Sequence, residues 1–186
     1  MAQTPSSMLP LGTSLPAIHL PDVVGGTTVD VALLAAGKRG TLLMVICNHC
    51  PFVVHIRSEL VRAAHEALDK GLAVVAINSN DEVGYPQDGP AAMAKLAQSE
   101  KWRFPFLFDA TQQVARSLDA QCTPEFYLFD AAAKLAYRGQ FDDSRPSNGK
   151  PVTGADLRRA VDAVATGRAP FSDQKPSVGC NIKWKR

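Results

Sequence analysis

A chain of 186 residues, 46% hydrophobic and 20% charged, is long enough for one sizeable core and short for two. Its net charge of +2, with basic residues spread out except for Lys183-Trp184-Lys185-Arg186, leaves no footprint for nucleic acid or a polyanionic substrate. No stretch reaches the ~20 apolar residues of a bilayer span. Met1 to Pro10 lacks the basic and apolar runs of a signal peptide, so the expectation is a cytoplasmic protein with no membrane partner.

In chain order, residues 1–15 read as a flexible N-terminal arm, rich in Ser, Thr and Pro. Residues 16–186 read as a single domain that includes a packed C-terminal tail, because an unstructured tail rarely carries an Ile and a Trp. Pro16 to Leu20 suits an edge strand, and Gly25-Gly26 before Val29-Asp30-Val31 suits a small hairpin. Ala32 to Ala36 suits one helical turn, stopped by Gly37. The continuous apolar run Leu42 to Cys47 predicts a buried strand. Val53, Ile56, Leu60, Val61, Ala64 and Leu68 then recur at helical spacing, predicting a helix over Pro51 to Asp69 with a stop at Lys70-Gly71.

A second strand is expected over Leu72 to Ile77, followed by a long polar loop, Asn78 to Pro90, and a helix over Ala91 to Ser99. Phe104 to Asp109 predicts a third strand, which Pro105 pushes to an edge. A short helix over Thr111 to Leu118 takes Thr111 or Asp109 as cap, and Glu125–Asp130 with Lys134–Gly139 forms a hairpin. A last helix, capped by Thr153, runs to about Thr166. Alternating strands and helices closed by a hairpin make an α/β sandwich with a mixed sheet.

The chemistry concentrates in Cys47-Asn48-His49-Cys50-Pro51, at the carboxyl end of a central strand, where open α/β sheets place their sites. A cysteine just before a helix start meets unpaired N–H groups and the positive end of the dipole. That setting stabilises the thiolate, the reactive form. Pro51 suits the first helical position, where its missing N–H costs nothing. Four cysteines in a chain of this kind read as buried thiols, metal ligands or redox groups rather than a disulfide framework. Cys47, His49 and Cys50 with Cys122 or Cys180 also make a soft-ligand set for zinc, although only one C-x-x-C is present.

C-N-H-C-P-F-V at residues 47–53, A-I-N-S-N-D at 76–81, C-T-P-E-F-Y-L-F-D at 122–130 and G-C-N-I-K-W at 179–184 resemble an uncharacterised peroxiredoxin-like group. That group lies in the alkyl hydroperoxide reductase–thiol specific antioxidant branch of the thioredoxin-like fold, and the likeness covers roughly Pro16 to Trp184. It implies a three-layer sandwich with a mixed central sheet and an N-terminal extension. It also implies a thiol-dependent, antioxidant oxidoreductase acting on a protein disulfide or a peroxide, with Cys50 as nucleophile. The chain departs from the P-x-x-x-T-x-x-C pattern of typical peroxiredoxins, with Leu43 at the proline and Cys47 at the threonine. It departs from the thioredoxin pair as well, since the partner cysteine precedes Cys50 and Val53 follows it.

The resemblance implies that Pro124 is a cis proline facing the reactive cysteine, with Thr123 beside it to pair with an extended substrate. Cys47 is read either as packing at the strand end or as a resolving thiol. Cys180 is read as a distant resolving cysteine or a structural thiol. Cys122 either participates or lines the pocket, and His49 has a minor supporting role. No cofactor is expected, the thiol reductant is not named by the sequence, and relatives allow for a homodimer. A non-catalytic binding protein or a thiolate metal site on the same fold is the alternative reading.

Overall fold

The structure, a computed structural model, describes residues 3–185. Its centre is a five-stranded mixed sheet. The strands are β4 (Gly40–Val45), β5 (Ala73–Asn78), β6 (Phe106–Phe108), β8 (Glu125–Asp130) and β9 (Leu135–Gly139), in the order β6-β5-β4-β8-β9. β4, β5 and β6 run parallel, while β8 lies antiparallel to β4 and to β9. As Pro105 implied, β6 is an edge strand.

The period-two alternation of β4 divides the core. Leu42 and Met44 face helices α2 (Pro51–Asp69), α3 (Pro90–Ser99) and α5 (Ala155–Ala165), whereas Leu43 and Val45 face α1 (Val31–Ala35) and α4 (Gln113–Ser117). Each face is a continuous apolar cluster, so the sheet is buried on both sides, as an uninterrupted apolar strand requires. The resulting three layers are the α/β sandwich expected.

Helix α2 keeps its expected bounds, and its buried positions include Val53, Ile56, Leu60, Val61 and Ala64. The hairpin before the central strand forms from β2 (His19–Pro21) and β3 (Thr28–Asp30). Asp30 caps α1 by accepting from the N–H groups of Ala32 and Leu33. Two expected caps are displaced. Gln112, with φ of 62°, stands at the start of α4, while Asp109 accepts from Ala115 inside it. Gly154, also with φ of 62°, begins α5 in place of Thr153. The Asp142 carboxylate accepts the Thr153 and Gly154 N–H groups at 2.6 Å and so fixes the approach to the helix, while Thr153 Oγ1 accepts from Ala155 N, the first helical N–H, at 3.3 Å.

The largest departure concerns the ends of the chain. Within the arm expected over residues 1–15, Gln3–Pro5 is strand β1; residues 1 and 2 lie outside the described residues. β1 pairs antiparallel with β10 (Val178–Asn181), and β10 pairs in turn with β7 (Cys122–Thr123). In this second sheet, β1-β10-β7, the middle strand β10 packs against α2. Buried Ser6 donates its hydroxyl to Glu125, tying the first strand to the central sheet. Among the described residues, no helix is long and apolar enough to cross a membrane.

Candidate functional site

Strand β4 ends at Val45, two residues earlier than the apolar run suggested, so Cys47 lies in the loop and not at the strand's last rung. Ile46 still donates to Ile77 O at 2.9 Å, after which the chain turns through Cys47-Asn48-His49 to the helix. That turn is organised by a residue far away in sequence. Asp88 closes the single 3-10 turn Pro86–Asp88 of the polar loop and is fully buried. One of its oxygens accepts the N–H groups of Asn48 (2.8 Å) and His49 (3.3 Å). The other accepts from His49 Nδ1 at 2.5 Å and Asn80 Nδ2 at 2.8 Å. A carboxylate so provided for is an acceptable buried charge. His49 is fixed further by stacking on Tyr85, with ring centroids 5.1 Å apart and an interplanar angle of 11°. Asn48 Oδ1 is buried with no hydrogen-bond partner among the described residues.

Cys50 is the residue immediately before α2, with Pro51 in the first turn. Its sulfur is buried and, as a thiol, donates to Thr123 O at 3.1 Å. As a thiolate it accepts from the Cys47 thiol above all, from the Cys180 thiol, and from the main-chain N–H groups of Val53 and Cys180. The Cys47 donor outweighs the opposing cost of burial, and together the donors bring the Cys50 thiol down to about 5. Its neighbours move the other way. Hydrogen bonding to Cys50, then burial, holds the Cys47 thiol well above its ordinary range. Burial first, and then Cys50, pushes Cys180 up to about 12. One thiolate is thus surrounded by protonated thiols.

Thr123 presents its two functional atoms to this cluster, the carbonyl to Cys50 and Oγ1 to Cys47 Sγ at 3.3 Å. The Thr123–Pro124 peptide bond is cis, as the resemblance implied. All four cysteines are free and buried. Cys122, one position along β7, points the opposite way. Its sulfur lies 3.8 Å from Pro124 O and 3.9 Å from Glu125 Oε2, and burial raises its thiol, followed by the nearby Glu125. It therefore flanks the site without a hydrogen bond to Cys50.

Asp88 and Glu125 were not singled out by sequence reasoning. Glu125 is buried directly after the cis proline, with its carboxyl raised by burial although it accepts from Ser6 and the N–H groups of Gln121 and Cys122. The polar run between two apolar elements was the only signal for Asp88. For Glu125 the signal was an acidic residue opening a strand that otherwise reads as core. The metal set also changes: Cys47 Sγ, a His49 ring nitrogen and an Asp88 oxygen lie within 4.8 Å of one another, a grouping in which Asp88 replaces the second and third cysteines.

Residues 10–157 match the Redoxin family model, and the chain belongs to that family. An uncharacterised conserved protein from Geobacillus kaustophilus is 50% identical over 100% of this chain and 97% of its own, with a TM-score of 0.96. A hypothetical protein from Sinorhizobium meliloti is 46% identical over 98% of both chains, with a TM-score of 0.94. Peroxidoxin BcpB from Mycobacterium tuberculosis, 17% identical over 85% of this chain and 97% of its own, shares the fold with a TM-score of 0.62. A comparison with curated proteins gave no match. The fold is thioredoxin-like, of the peroxiredoxin-like kind, and membership of the Redoxin family supports thiol-dependent redox function in general.

Proposed function

We propose that the protein is a thiol-dependent reductase whose nucleophile is Cys50. The observation that carries this reading is the four-donor environment of the Cys50 sulfur at a helix start, which holds it as a thiolate at neutral pH. The thiolate attacks the distal oxygen of a hydroperoxide, giving a sulfenic acid and releasing an alkoxide that takes a proton from solvent. With a disulfide it gives a mixed disulfide and expels a thiolate. Cys47 or Cys180, both hydrogen-bonded to the Cys50 sulfur, then attacks it, forming a protein disulfide and releasing water or a thiol. Two electrons from an external thiol reductant restore both thiols. Thr123, Pro124 and His49 shape the site, Thr123 by contact with both cysteines and His49 by holding the loop on Asp88. Peroxide removal would make the protein an antioxidant, and four free thiols suit the reducing cytoplasm.

The test is peroxide consumption by the reduced protein with dithiothreitol as donor, followed by peptide mass mapping. Cys50→Ser should abolish consumption and leave no disulfide involving position 50. Consumption that survives Cys50→Ser would overturn the assignment. A second reading, a thiophilic cation held by Cys47, His49 and Asp88, rests on their mutual 4.8 Å spacing. Elemental analysis of freshly purified protein decides it, with about one equivalent of zinc in its favour.

A further inference from the structure

An extended polypeptide recognised beside a reactive thiol needs a strand edge on which to pair. Here the edge of β7 is already taken. β10 runs antiparallel along it, with Cys180 opposite Thr123 and Asn181 opposite Cys122. The approach is so close that a Cβ on Gly179 would lie 2.0 Å from Thr123 O and 2.6 Å from its carbonyl carbon. Only glycine permits it.

The segment after β10 is fastened as firmly. Ile182 is buried and donates to Gln121 O at 3.1 Å. Lys183 N donates to Asn80 Oδ1, and Lys183 O accepts from Asp81 N and Gln112 Nε2. The Arg116 guanidinium lies 4.4 Å over the Trp184 ring. Beneath this strap Cys50 has no exposed surface. A small cavity of about 20 Å³, lined by Phe52, His55, Pro124, Phe141 and Val178 among others, lies beside the thiol on residues of three elements and has room for a water-sized molecule.

Building on the proposed role of Cys50, we propose that β10 is a resident occupant of the substrate-strand edge. It closes the site to polypeptide disulfides, leaves it open to small hydroperoxides, and seats Cys180 where a substrate cysteine would lie. A hydroperoxide needs only side-chain fluctuation over Cys50, whereas a protein disulfide needs the strap removed. The oxidised product is then specific. Cys50 thiolate and ROOH, with one proton, give Cys50 sulfenic acid and ROH. The Cys180 thiol displaces hydroxide from that sulfur, its proton completes water, and a Cys50–Cys180 disulfide remains for a small dithiol to reduce.

The experiment compares wild type, Gly179→Val and Cys50→Ser for hydrogen peroxide consumption and for reduction of insulin disulfides, with dithiothreitol as donor. Wild type should consume peroxide yet cleave insulin no faster than Cys50→Ser. Gly179→Val, wedging β10 away, should cleave insulin roughly tenfold faster or more, because the apparent rate follows the fraction of molecules with an open edge. Insulin reduction by wild type that Gly179→Val does not raise overturns the proposal. If that variant fails to fold, wild type alone decides: after one equivalent of peroxide, mass mapping should find Cys50 joined to Cys180. A Cys47–Cys50 disulfide with Cys180 free overturns the proposal while leaving Cys50 as nucleophile. Inertness of wild type towards peroxide overturns this proposal, and inertness of wild type and Gly179→Val towards both peroxide and insulin removes the parent reading as well.

Discussion

At the scale of single residues, the Cys50 thiolate depends on hydrogen-bond donors, two of them other thiols. Cys47→Ala should therefore raise the Cys50 titration midpoint by about one pH unit, the value of one charge-assisted hydrogen bond, while Cys47→Ser keeps a donor and largely preserves it. Thiolate ultraviolet absorbance, with Cys50→Ser as blank, measures both. In wild type the absorbance and the peroxide rate should rise together through pH about 5 and then level. The sign for stability follows from the same depression. The folded thiol ionises near 5 and the unfolded one near 9, so the contribution is full above pH 9 and shrinks as pH falls towards 5. The advantage of wild type over Cys50→Ser in urea denaturation should narrow over that range. Asp88 is the other residue on which the site turns. Asp88→Ala leaves the N–H groups of Asn48 and His49 and the Asn80 amide without their acceptor, and should cost about 2–4 kcal/mol in the same assay.

At the scale of elements, the decisive junctions are those where one segment meets the backbone of another. Gly154 begins α5 with positive φ, and a Cβ there would lie 2.5 Å from Phe141 Cζ and 2.9 Å from the Arg158 guanidinium. Gly154→Ala should therefore lower stability by roughly 1–3 kcal/mol, through the left-handed backbone and the displaced Phe141 ring together. A thermal melt measures it. Because Phe141 also lines the cavity beside Pro124, the peroxide KM should rise with it. Helix α2 was readable to the residue from its apolar spacing and the Lys70-Gly71 stop, since both signals are local. The starts of α4 and α5 were readable in part: Asp109 and Thr111 accept from N–H groups of the first turn of α4 as expected, and Thr153 Oγ1 accepts from Ala155, but the cap positions fall to Gln112 and Gly154, whose left-handed backbone leaves no periodic trace.

At the scale of the whole molecule, the two ends of the chain meet. β1 and β10 pair with each other and, through β7, with the strand edge next to Cys50. Ser6 completes the closure on Glu125, whose carboxyl burial raises. Ser6→Ala removes a donor from a buried carboxyl and should cost about 1–3 kcal/mol in urea denaturation, the cost growing as pH climbs above the unfolded carboxyl's 4.5. The sign follows from linkage. A carboxyl raised in the folded state weakens the fold as pH climbs past the unfolded value, and losing the Ser6 donor raises it further.

The sequence by itself determined the sandwich and the place of the thiol proposed as nucleophile, because apolar periodicity, a proline at the helix start and a cysteine before it are signals carried by neighbouring residues. Tertiary structure alone decided which groups surround that thiol. Cys47 was visible as a near neighbour, and the resemblance implied Thr123 and Cys180, but Asp88 and Gly179 reach the site from 38 and 129 positions away with no signal of their own. Strand pairing and a buried carboxylate bring them there, and neither leaves a periodic trace in the chain. Burial and hydrogen bonding are properties of that assembled volume, and they make Cys50 a thiolate while its three fellow cysteines stay protonated.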